Sequence, residues 1–235
     1  MKAMIFAAGL GTRLEHLTKN TPKALVKAGG ITLVEHVILK LKQANVDEII
    51  INVHHFYEQI VNFIRDNNFG VKICFSIEKD ALLDTGGGLK KASWFFDDNN
   101  PFFIHNVDVI SDINLGEMID FHRKENAIAT LAVRNRTTQR YFLFDKNNYL
   151  CGRENLKTNE CMLLPHSPPK TELHRLAFSG IHVVSPQIFE YMPQKDVFSI
   201  TDLYMNTPHK TLAYQHDYGN WMDMGKITCF TEKSI

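Results

Sequence analysis

A chain of 235 residues, 44% hydrophobic and 22% charged, is long enough for one large α/β domain or two small ones. Its 26 basic and 26 acidic residues cancel, so no bulk positive field recruits nucleic acid or an anionic membrane. No apolar run approaches the roughly 20 residues of a membrane span, and the expected partner is a small molecule in a local cationic pocket.

Strand-like sequence begins at Lys2, without a leader pattern, and Lys2–Ala7 reads as a buried strand. Thr32–Asn45 carries Leu33, Val34, Val37, Ile38 and Leu41 at the one-sided spacing of an amphipathic helix. Glu48–Val53 is a β-branched run typical of a strand covered on both faces. Helical spacing returns over Tyr57–Asn67, a third strand is predicted at Val71–Ile77, a helix at Gly88–Phe96 and a fourth strand at Pro101–Asn106. Asn114–Lys124 and Ala127–Val133 repeat the cycle. Successive β-α-β units predict a mainly parallel sheet with helices on both faces, which binds ligands at the carboxyl ends of its strands.

From Thr137 the pieces shorten. Tyr141–Asp145 and Asn148–Arg153 predict a hairpin, a loop with three prolines follows at Pro165–Lys170, and Ala177–Val184 returns as a strand. Residues 137–176 are therefore expected to form an insertion over the sheet edge, within a single domain spanning 1–235. The four cysteines, Cys74, Cys151, Cys161 and Cys229, are scattered without a Cys-x-x-Cys pair, as expected for a reduced cytoplasmic protein. His54-His55 lacks the further ligands a zinc site requires, and a base- or loop-contacting role suits either histidine better.

The first strand ends in Ala7-Ala8-Gly9-Leu10-Gly11-Thr12-Arg13, followed by Thr21-Pro22-Lys23. Gly9 and Gly11 let the backbone curl with its N–H groups facing one concavity, which suits polyphosphate oxygens. Arg13 and Lys23 add mobile positive charge. The dinucleotide fingerprint is excluded because its third glycine position holds Leu14, and no Gly-Lys-Ser/Thr run makes a P-loop. A tight turn without ligand is the plain alternative, which the arginine and the Pro-Lys pair weigh against.

Asp108 follows the apolar strand Phe102-Phe103-Ile104 and is placed to hold a hard cation that bridges phosphates. Asp223 lies between large apolar residues and Gly225, where a charge is costly unless paired. Taken singly, each aspartate suits a helix cap or a structural ion pair as well as a ligand.

These segments, with Thr85-Gly86-Gly87-Gly88, Asn106-Val107-Asp108, Phe178-Ser179-Gly180-Ile181 and Trp221-Met222-Asp223-Met224-Gly225, occur in the order seen in sugar-1-phosphate nucleotidylyltransferases. The chain resembles that family along nearly its whole length, and within it the short uridylyltransferases of N-acetylmuramate 1-phosphate and related hexose-phosphate enzymes. The resemblance implies a Rossmann-like three-layer α/β/α fold and Mg2+-dependent synthesis of a nucleotide-sugar, with UTP as the expected donor and a cell-wall role. It further implies that Ala8 and Gly9 contact base and ribose, while Gly11, Thr12 and Arg13 wrap the triphosphate. Lys23 would reach the α-phosphate or the sugar phosphate, and Thr85, Gly86 and Gly87 would line the base pocket. Asp108 and Asp223 would hold the metal, Asn106 would lie near the sugar, and Ser179 and Gly180 would border the sugar pocket. Arg13 and Lys23 are the expected catalytic cations.

Val107 stands where the family often has glycine, and Arg140-Tyr141-Phe142 departs from the family near the sugar, which leaves the sugar open. The chain is expected to lack the β-helix domain of longer relatives. No general base is required, because the attacking phosphate oxygen is already ionised at neutral pH. Guanylyl or cytidylyl transfer to mannose or heptose 1-phosphate or to choline phosphate is the nearest alternative. A non-catalytic nucleotide-sugar binding protein would be favoured by loss of Arg13, Lys23 or either aspartate, and all four are present. A glycosyltransferase would carry Asp-x-Asp, whereas Asp108 and Asp112 have the wrong spacing. Monomer and homodimer both fit the sequence.

Overall fold

The computed structural model describes residues 1–165 and 167–225. In chain order they form β1 (Lys2–Phe6), β2 (Lys27–Ala28), β3 (Ile31–Thr32), α1 (Leu33–Gln43), β4 (Glu48–Val53), α2 (Tyr57–Asp66), β5 (Lys72–Ile77), α3 (Asp84–Lys91), β6 (Phe102–Asn106) and β7 (Val109–Ser111). There follow α4 (Leu115–Glu125), β8 (Ala129–Arg134), β9 (Arg140–Phe144), β10 (Leu150–Asn155), β11 (Glu160–Leu163), β12 (His174–Val184), α5 (Ile200–Asn206), β13 (Thr211–Gln215) and β14 (Trp221–Asp223).

The large sheet runs β11-β10-β9-β12-β6-β1-β4-β5, with β8 pairing β12 and β13 pairing β8. Its pairings leave β10 and β12 as the strands that run against the rest. From β1 the chain moves outward to β4 and β5, then returns to β6 on the other edge of β1. That reversal opens a crevice at the carboxyl ends of β1 and β6, the position at which open α/β sheets take ligands.

Alternation along β1 builds the three layers. Ala3 and Ile5 enter a core shared with Val37 and Leu41 of α1, Ile60 of α2 and Met118 of α4. Met4 and Phe6 enter the opposite core with Leu89 of α3, Phe102, and Leu203 and Tyr204 of α5. Burying each such side chain stabilises the fold by about 1.5–3 kcal/mol, so both faces of the sheet must stay covered. α1 starts at a capping box in which Thr32 and Glu35 exchange hydrogen bonds with each other's backbone.

Two expectations shift. The helix expected at Gly88–Phe96 begins at Asp84, so the glycine triplet lies inside it. Residues 137–176 do not form only a hairpin: β11 adds a third strand, and long β12 pairs with β9 at its start and β6 at its end, making these strands continuous with the main sheet. The backbone accommodates the β-branched Val107, whose φ is not positive and whose side chain is buried in the core. Cys74, Cys151 and Cys161 are free thiols, Cys229 lies outside the described residues, and no helix among those described is long and apolar enough to cross a membrane.

Candidate active site

The loop after β1 is pinned at its base and open at its tip. The Ala7 N–H donates to the backbone and side-chain oxygens of Asn52, on β4, at 3.2 and 2.9 Å. Gly9 to Arg13 then reach the surface. Gly11 has φ 68°, and a Cβ there would stand 3.0 Å from the Thr18 methyl and 3.1 Å from Lys23 Cβ, so backbone conformation and space both require glycine. The Thr18 hydroxyl donates to the Gly11 carbonyl at 3.0 Å, and the Leu14 N–H closes a 3-10 turn on the same carbonyl. Gly9 differs: among the described residues no atom lies within 4 Å of where its Cβ would be, which leaves space over it for a ligand.

Beside this loop the four charged residues singled out from the sequence come together. Lys23 pairs with Asp108 in the turn between β6 and β7, and both side chains are largely buried, at 11% and 16% exposure. Asp223, on β14, arrives opposite Val109 through the β7–β14 pairing. A Cβ on Gly225 would meet Asp223 Oδ1 at 2.7 Å, Arg13 Nη2 at 2.9 Å and Asp108 Oδ2 at 3.0 Å. The missing side chain of Gly225 thus leaves a cradle walled by two carboxylates and a guanidinium. The Met224 N–H holds the Asp108 carbonyl at 2.7 Å and the Gly225 N–H holds Asp223 Oδ1 at 2.9 Å, fixing both aspartates from the backbone. Two hard oxygen donors facing one cradle fit Mg2+, which takes one or two carboxylates and completes its shell with phosphate and water. Among the described residues no group of three or more ligating side chains forms a self-sufficient metal site.

A wall of aromatic and cationic groups continues from β14. Trp221 and Asp223, two apart on a strand, leave the same face. The Trp221 indole N–H donates to the Ser179 carbonyl at 2.9 Å, and the Arg136 guanidinium lies 4.4 Å over the Trp221 ring. Ser179 is fully buried and its hydroxyl bonds His216 Nε2 at 2.7 Å, so it shapes the site from behind. Desolvation, with Arg134 nearby, lowers the His216 pKa to about 4. Gly180 has φ 78° and lets Asn106 approach, since a Cβ would lie 2.9 Å from Asn106 Nδ2. Beyond Phe178 a cleft of about 950 Å3 opens, lined by Tyr141, Phe142, Arg140, Arg153 and residues from the starts of α3 and α5.

The glycine triplet lies inside α3, and two of its members are packed closely against another segment. A Cβ on Gly86 would strike the Phe198 ring at 2.4 Å, and one on Gly87 would strike the Asp196 carbonyl at 1.9 Å. Both N–H groups donate to the Phe198 carbonyl, and Thr85 Oγ1 accepts from the Ile200 N–H. Close packing of α3 against 196–200 therefore requires glycine at Gly86 and Gly87. Sequence reasoning missed the buried pair beneath them: Glu78 accepts from Asn52 Nδ2 at 2.8 Å and from the Leu83 N–H at 2.9 Å. Asn52 links it to the glycine loop after β1. An acidic residue at the end of β5, ahead of the glycines, was the available signal. His54 does contact a loop, through Nδ1 to the Glu78 carbonyl at 2.6 Å.

A family model described as Nucleotidyl transferase matches residues 2–234. A UTP–glucose-1-phosphate uridylyltransferase of Synechocystis sp. is 29% identical, covering 97% of this chain and 61% of its own length. A mannose-1-phosphate guanyltransferase of Yarrowia lipolytica is 28% identical, covering 96% and 61%. The chain thus spans about three-fifths of the length of these curated relatives. Among solved structures, HddC from Yersinia pseudotuberculosis complexed with GMP-PN shares the fold, with a TM-score of 0.79, 19% identity and coverage of 98% of this chain and 96% of that one.

Proposed function

The chain belongs to the Nucleotidyl transferase family, and we propose that it transfers a nucleotidyl group from a nucleoside triphosphate to a sugar 1-phosphate, releasing pyrophosphate. The observation that carries this reading is the meeting of Arg13, Asp108 and Asp223 around Gly225 with Lys23 paired to Asp108. Such a reaction brings two anions together, and its barrier is largely electrostatic. Mg2+ held by Asp108 and Asp223 would neutralise and align the α-phosphate. Arg13, at the exposed end of the loop, follows the β- and γ-phosphates and stabilises charge on the departing pyrophosphate. Lys23, already beside Asp108, balances charge where the acceptor phosphate approaches. The loop N–H groups from Gly9 to Thr12 orient the triphosphate, and the open face of Gly9 admits the nucleoside.

We take UTP as the donor, in keeping with the uridylyltransferase relative. The guanyltransferase relative, at nearly the same identity, makes GTP the alternative. The test is pyrophosphate release with Mg2+ across the four ribonucleoside triphosphates and dTTP. Acceptors would be N-acetylmuramate, mannose, glucose and heptose 1-phosphates, with choline phosphate as a non-sugar control. One productive pair, lost in Asp108→Asn and Asp223→Asn, is the expected result. Silence across the matrix from folded protein that binds no nucleotide would overturn it.

A further inference from the structure

Arg136 is placed at the junction between the charged cluster and the cleft. It follows β8 at the carboxyl end of the sheet, the edge onto which the phosphate loop and Asp108 also open. Among the described residues its guanidinium makes one hydrogen bond, from Nη2 to the Phe178 carbonyl at 3.0 Å. Its buried Nε has no hydrogen-bond partner there. A guanidinium has five N–H donors in a planar fork, so the described residues use only a small part of its bonding capacity. The side chain is held in place by stacking on Trp221.

Its two neighbours point in different directions. Phe178 lines the cleft, whereas Trp221 shares a strand face with Asp223. Asp223 and Arg136 sense each other electrostatically, and burial lowers the arginine's pKa. A half-buried cation with spare donors, tied to neither carboxylate by a direct ion pair, is suited to a ligand anion. An acceptor seated in the cleft with its phosphate directed at Asp108 and Asp223 would bring that phosphate past Arg136. A planar fork binds phosphate oxygens in pairs, which a lysine cannot reproduce.

We propose that Arg136 binds the phosphate of the acceptor substrate and sets the affinity for that substrate alone. This rests on the transferase reading above. The nucleotide's phosphates are served by Arg13 and the glycine loop, so loss of Arg136 should leave the nucleotide KM unchanged.

The chain's two tryptophans supply a readout independent of turnover. Trp94 is 62% exposed on the surface, so Trp94→Phe leaves Trp221, stacked under Arg136, as the sole reporter. In that protein, inorganic phosphate, α-D-glucose 1-phosphate and α-D-mannose 1-phosphate are titrated while Trp221 emission is followed. We expect a saturable change with at least one of them, abolished by Arg136→Gln. In turnover, Arg136→Gln should raise the acceptor KM at least tenfold with the nucleotide KM within twofold. Arg136→Lys, which keeps charge and bulk, should recover part of the loss.

An unresponsive Trp221 with all three probes overturns the assignment, as does an acceptor KM unchanged in an active, folded Arg136→Gln protein. Equal rises in both KM values would also overturn it, by making Arg136 a general support of the site. If folded wild-type protein binds no nucleotide and releases no pyrophosphate with any pair while Trp221 still responds through Arg136, the transferase reading fails and the anion site stands.

Discussion

Gly225→Ala tests the cluster with a single methyl group. The added Cβ would sit 2.7, 2.9 and 3.0 Å from Asp223 Oδ1, Arg13 Nη2 and Asp108 Oδ2, where ordinary contact begins at 3.4 Å. Each tip must therefore retreat by about 0.4–0.7 Å. Active constellations must be held to within about 0.5 Å, so these shifts reach the tolerance of catalysis. We expect turnover to fall roughly 10–100-fold, about 1.4–2.7 kcal/mol in barrier height. The atoms that move are side-chain ends and Gly225 has no positive φ, so the melting temperature should stay within a few degrees. The assay is pyrophosphate release as a function of Mg2+, with thermal unfolding in parallel, and the Mg2+ midpoint should rise. Wild-type turnover at an unchanged Mg2+ midpoint would refute the claim that these three groups act on one centre.

The two cations should separate from ordinary binding residues, with Arg13→Ala and Lys23→Ala each lowering kcat roughly 100-fold and changing the nucleotide KM less. Near-normal turnover in both variants would remove their roles. Gly9→Ala, whose methyl enters open space, should keep stability within about 0.5 kcal/mol yet raise the nucleotide KM. Gly87→Ala places a methyl 1.9 Å from the Asp196 carbonyl and should cost about 2–3 kcal/mol in denaturant unfolding, so equal effects of the two variants on stability would contradict the packing. Buried His122 and His182 have pKa values lowered by desolvation to about 4 and about 3 from an ordinary 6.5. The unfolded chain therefore binds more protons below pH 6.5, and stability should fall on acidification toward pH 4 by roughly 2 kcal/mol per histidine at pH 5. Denaturant midpoints that are level between pH 7 and pH 5 would rule this out.

Local pattern accounts for much of this protein. The 3.6-residue spacing of Leu33, Val37 and Leu41 and the β-branched run at Glu48–Val53 need no distant partner to declare helix and strand. The glycine loop with Arg13 and Lys23 is equally local, because backbone freedom and charge are properties of the residues themselves. Other features depended on contacts between remote segments. That Gly86 and Gly87 leave no room for a side chain shows only once segment 196–200 is seen pressed against them, and β12 declares a strand without declaring that it runs against its neighbours. Asp223 gains its meaning only when β14 pairs with β7, which brings the far end of the chain beside Arg13 and Asp108. Arg136 has no sequence signature, since its role depends on the Trp221 ring and the Phe178 carbonyl. Periodicity and residue chemistry determine what each segment can be. Burial of two sheet faces decides which segments meet, and a site made of meetings is written only in the folded chain.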